Sequence, residues 1–244
     1  MSPSDSKQAK PVSRSSWLVS PADPLTNLLL TTPVFLLYHL GVLVVPVRNG
    51  VDVITDLLLR VQRESLAAYI AVTVGVAVAI AIAATWLGRR ERKPARSLWW
   101  LLLEGALWAI VLWLVSGFAT AHLVPGQTGS RPNGVFATLV TCAGAGFHEE
   151  LVFRAALFAG GAWCLRKLSG MSEASSLFLM AVVSAFLFSL AHYLGPAGDT
   201  FRWASFVFRL VMGLLLAGIF QFRGFAVAVY AHALYDVLCF FVLM

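Results

Sequence analysis

Charge is what this chain has least of. Asp, Glu, Lys and Arg make up 12% of its 244 residues, while 59% are hydrophobic and the mean hydropathy is +0.80. A soluble domain carries about 25% charged residues, so there is too little polar surface here to coat a soluble globule. Cysteine is also scarce. Cys142, Cys164 and Cys239 all lie in apolar stretches, with no CxxC and no Cys/His pairing at zinc-finger spacing. A disulfide framework and a structural zinc site are therefore not indicated, and Cys239 stands too far from the C-terminus for a prenylation box. No signal-peptide pattern begins at Met1, and no inverted repeat of the kind that marks many transporters is visible.

What is present is a series of apolar runs. After a Ser-, Pro- and Lys-rich tail over 1–24, runs occur at 25–47, 66–87, 98–122, 135–165, 175–194, 203–222 and 225–244. Each approaches or exceeds the roughly 20 residues needed to cross the hydrocarbon core. The expected fold is all-α, a polytopic transmembrane bundle of about seven (six to eight) spans. The first run contains Pro33 and His39 and is expected to be kinked or irregular. The run 135–165 is too long for one upright span and is expected to be tilted or broken near Gly144 and Gly146. Between the first two runs, Val51 to Glu64 interleaves Val, Ile and Leu with Asp52, Asp56, Arg60 and Arg63, which suits an amphipathic helix on the membrane surface. Three regions follow: the tail 1–24, N-terminal spans with surface helix and basic loop over 25–134, and a core over 135–244.

The net charge of +6 is concentrated, chiefly in Arg89, Arg90, Arg92, Lys93 and Arg96. Between two apolar runs this reads as a cytoplasmic loop under the positive-inside rule rather than as a nucleic-acid patch. Lys7, Lys10, Arg14, Arg166, Lys167 and Arg223 fall on the same side when the N-terminus is cytoplasmic.

Three polar islands interrupt the core. Glu149-Glu150 is followed by Arg154, Phe188 by His192, and His232 by Asp236. An ionisable residue at the bilayer centre costs roughly 2.5–3.5 kcal/mol on insertion scales, so each island is a functional-site hypothesis by default. On an α-helix, Glu150 and Arg154 face the same way in the favourable order for an ion pair, while Glu149 points about 100° away. The expected division of labour leaves Glu150 held by Arg154 and Glu149 available for chemistry. Asp236, four residues after His232, could hydrogen-bond it and fix its tautomer. His148 reads as a packing or interfacial residue and His39 as lying near an interface. Glu104 and Arg209 are expected to neutralise each other or line a cavity, without a catalytic role.

The ordered series Glu149-Glu150-x-x-x-Arg154, Phe188-x-x-x-His192 and His232-x-x-x-Asp236 resembles the three motifs of the CPBP family. That family comprises CAAX-type prenyl endopeptidases and Abi or bacteriocin-immunity proteins, which are glutamate-type intramembrane proteases. The resemblance covers roughly 135–244. It implies that Glu149 is a general base polarising water and that His192 shares that water. It implies further that His232 and Asp236 stabilise the oxyanion formed on the peptide carbonyl, with Glu150, Arg154 and Phe188 in support. Many members carry Asn at the last position. An ionised Asp236 cannot donate a hydrogen bond, so it is protonated, orients His232, or pairs with a cation such as Arg209.

The implied protein is an intramembrane endopeptidase acting on a membrane-associated protein or peptide. It sits in the lipid bilayer of a bacterial inner membrane with a cytoplasmic N-terminus, without nucleic acid and without cofactor. Zinc is the alternative, since two His and one or two Glu suit a site with an open water position; yet position 152 is Val, so His148-Glu149 does not begin H-E-x-x-H. Two other readings use the same pocket: a non-enzymatic immunity or binding protein, and a proton-coupled transporter. Oligomeric state is not readable. Depth poses a constraint, because His192 lies near the end of its run and His232 only about 12 Å inside its own. Their convergence with Glu149 requires tilted or broken helices.

Overall fold

A computed structural model describes residues 24–45, 47, 65–91, 98–123, 134–194 and 198–242. The polar tail, the surface helix expected over 51–64 and residues 92–97 of the basic loop lie outside the described residues. Within them the chain forms seven helical rods and no strand. These are α1 (Pro24–Gly41), α2 (Leu66–Glu91), α3 (Leu98–Leu123), a composite rod, α6 (Glu173–Ala191), α7 (Trp203–Arg223) and α8 (Phe225–Val242). The composite rod consists of α4 (Val135–Gly144), a π-helical segment (Ala145–Gly160) and α5 (Gly161–Ser169). Leu98–Phe118, Glu173–Ala191 and Trp203–Arg223 are long and apolar enough to cross a membrane, and shorter apolar helices occupy Asn27–Gly41, Leu66–Ala79 and Phe225–Phe241. The protein is an integral membrane helical bundle.

Apolar side chains face outward as well as inward. On α3, Leu103, Leu107, Ile110, Leu114 and Phe118 are exposed at helical spacing, while Leu101, Ala109, Leu112 and Ser116 are buried on the other side. An exposed stripe this apolar is matched to hydrocarbon rather than water. The centre of the bundle is α8. Its residues 226–233 are buried on every face, the pattern of a helix surrounded by others. It packs along α3 and against the π-helical segment, α7, α1 and α4.

The helices bear on two expectations about shape. Helix α1 continues through Pro33 and ends at Gly41, followed by a turn over 42–45. The long run is not broken at Gly144 or Gly146; there its hydrogen bonding changes from α to π spacing, and the rod continues until Gly170 adopts a left-handed φ of 67°. Gly224 (φ 94°) immediately precedes helix α8, where Asn27 of α1 accepts the N–H of Ala226 at 3.0 Å. One of the orphan donors of the helix start is thereby satisfied from another helix.

Gly146 sets the spacing between the π-helical segment and α8. A Cβ there would stand 2.7 Å from Ala233 Cβ and 2.8 Å from the Val229 carbonyl oxygen. Gly146→Ala is expected to lose about 1–3 kcal/mol of stability through overpacking, read as a lower unfolding midpoint in detergent. An unchanged midpoint would show that the two rods can part without loss.

Candidate active site

The π-helical segment carries both glutamates. Hydrogen bonds from i to i+5 imply more residues per turn than in an α-helix, so successive side chains diverge by less than 100°. Glu149 and Glu150 of this segment both reach His232 of α8. Glu150 Oε1 accepts the His232 Nδ1–H at 2.8 Å and stands 3.2 Å from Arg154 Nη1. On the other edge of the ring, His232 Nε2 lies 3.9 Å from Glu149 Oε2 and 3.8 Å from Asp236 Oδ2. Glu150 and Arg154 are sealed from the surface, whereas the Glu149 and Asp236 side chains are 11% and 22% exposed.

Arg154 also reaches the Gly213 carbonyl of α7 at 3.5 Å and places its guanidinium carbon 4.3 Å from the Phe188 ring centroid. Phe188 lies between the two histidines, its centroid 5.0 Å from that of His192 and 6.0 Å from that of His232. His192 therefore stands one aromatic ring away from His232 despite its position at the end of α6. Its Nδ1–H donates to the Phe188 carbonyl at 2.8 Å, which in the neutral ring leaves Nε2 as an acceptor. Helix α6 is fastened to the π-helical segment by Ser184, whose hydroxyl donates to the Phe153 carbonyl at 2.5 Å.

The structure thus gathers Glu149, Glu150, Arg154, Phe188, His232 and Asp236 around one imidazole, with His192 beyond Phe188. Three pairings differ from those considered on the sequence. It is Glu150, not Asp236, that bonds His232 Nδ1. Arg209 pairs with Asp199, so it is the partner of neither Asp236 nor Glu104, and Glu104 instead pairs with Arg223. His39 is fully buried and meets His148 edge-on at a centroid distance of 5.2 Å, with Tyr38 against both rings and Phe147 against His148. Both histidines act in packing α1 on the π-helical segment. Gly213, Ser184 and Asn27 carry no motif that would have marked them, since their parts depend on which helix lies opposite. Among the described residues, no three His, Cys, Asp or Glu side chains are arranged to hold one metal ion.

A helical membrane bundle with two glutamates, an arginine and two histidines gathered inside it narrows the class considerably. Residues 131–238 match the family model described as Rce1-like, type II CAAX prenyl endopeptidase Rce1-like, so this stretch is similar to the CPBP (CAAX protease) family. It is a family of CAAX-type intramembrane proteases. No curated protein and no solved structure matches the chain.

Proposed function

We propose that this chain is an intramembrane endopeptidase that cleaves a membrane-associated protein or peptide, with 135–244 as its catalytic core, Glu149 as general base and no cofactor. The observation that carries this reading is the two-sided environment of His232. Its Nδ1 is locked to a buried Glu150–Arg154 pair, while its Nε2 faces two partly accessible carboxylates at distances that leave room for a bridging group. A polar separation beyond 3.5 Å is too long for a direct hydrogen bond and is one that a water or a substrate oxygen can bridge.

In the proposed sequence, Glu149 removes a proton from water as its oxygen attacks the scissile carbonyl carbon, and His192 Nε2 accepts a second hydrogen bond from that water. The carbonyl π electrons move onto oxygen. The oxyanion then accepts hydrogen bonds from the Nε2–H of His232 in its imidazolium form, whose Nδ1–H stays on Glu150, and from Asp236 in its protonated form. As the C–N bond breaks, the proton held by Glu149 passes to the departing amine. The site operates in the inner membrane of a bacterium, with the N-terminus cytoplasmic.

The test is cleavage of a membrane-anchored peptide by the full chain in liposomes. His232→Ala is expected to lower kcat by about 10²–10³-fold through loss of an oxyanion donor, while Asp236→Asn, which keeps a donor, retains most activity. A His232→Ala protein that cleaves at the wild-type rate would exclude this mechanism.

A further inference from the structure

His192 ends α6, where backbone carbonyls have no partner within the helix. Its own carbonyl accepts the N–H of Asp199 at 2.9 Å. The Asp199 carboxylate is held by Arg209 of α7, and the Arg209 guanidinium carbon lies 5.2 Å from the ring centroid of Tyr193, the residue after His192. The same ends of α6 and α7 are joined again by Ser189, whose hydroxyl donates to the Phe206 carbonyl at 2.7 Å. His192 is thus gripped at its ring by Phe188 and at its backbone by Asp199, with Arg209 touching both Asp199 and Tyr193.

We infer that the Asp199–Arg209 pair is a positioning device that sets where His192 Nε2 points, a role no motif residue fills. The inference rests on the protease reading of the site. Asp199 is more than half exposed, and exposed ion pairs add little to stability, so the effect of this pair lies in geometry. Without Arg209 the Asp199 N–H is no longer held against the His192 carbonyl, and the turn that carries the imidazole relaxes. A displacement of about 1 Å at a catalytic group can cost on the order of 100-fold in rate.

The experiment compares Arg209→Gln, Asp199→Asn and the swapped pair Asp199→Arg with Arg209→Asp in the full chain in liposomes. Each single variant is expected to lower kcat by about 10–100-fold at unchanged KM and unchanged unfolding midpoint, and the swap to recover most of it. Two readouts do not need activity: amide exchange at Asp199 becomes faster in Arg209→Gln, and the His192 imidazole nitrogen resonances shift. If both stay at their wild-type values, or if kcat falls only in proportion to the folded fraction, the positioning role is overturned. Full cleavage by Glu149→Gln sinks the protease reading instead, and the exchange and resonance data then still decide whether the pair holds His192.

Discussion

Glu149→Gln is expected to leave the bundle folded and to lower peptide cleavage in liposomes by about 10²–10⁴-fold, the range that a positioned general base contributes. The substitution keeps the shape and the hydrogen-bonding reach of the side chain and removes only its capacity to take a proton. Glu149 is also the more accessible of the two glutamates, its side chain 11% exposed, whereas Glu150 is sealed off beside Arg154. Its loss is therefore registered in kcat rather than in stability. Single-turnover cleavage and an unfolding midpoint measured on the same preparation separate the two. A variant that cleaves normally removes Glu149 from the chemistry.

Arg154→Met is expected to show the opposite signature. Removing one partner of a buried ion pair costs about 3–5 kcal/mol, because the other charge is left buried without compensation. Here the cost falls on a carboxylate that also holds His232 Nδ1 at 2.8 Å. The guanidinium further loses its place over the Phe188 ring, a contact that Lys reproduces poorly. The network has little reserve, since Glu150 Oε2 and Arg154 Nε are buried with no hydrogen-bond partner among the described residues, and a half-satisfied buried network is costly. The double variant Glu150→Gln with Arg154→Met removes both charges and is expected to unfold later than Arg154→Met alone. Chemical unfolding in detergent is the measurement. Equal stability of wild type and Arg154→Met would show that the pair does not hold the fold.

These two outcomes divide the adjacent glutamates as the sequence does, but for a different physical reason. Four-residue spacing was enough to pair Glu150 with Arg154. It implied, however, that Glu149 turns away from its neighbour, because an α-helical period was assumed. In the structure the two carboxylates meet different edges of one imidazole, Glu150 at Nδ1 and Glu149 near Nε2, on a segment with π spacing. No residue type announces that change of period. Similarly, Arg209 and Glu104 are conspicuous charges in apolar runs, yet their partners, Asp199 and Arg223, could not be chosen without knowing which helix ends meet.

The sequence by itself determined the class of the fold, because an apolar run of about 20 residues has few alternatives to a helix when its backbone must be satisfied within a membrane. It also singled out the polar islands, because an ionisable group in such a run is costly enough to need a reason. The tertiary structure alone decided how the islands meet. Gly146 lets the π-helical segment approach α8, Phe188 fills the space between His192 and His232, and Glu150 rather than Asp236 orients the His232 ring. Spacing along a chain records which side chains share a face. Which faces touch is decided by packing between helices distant in sequence.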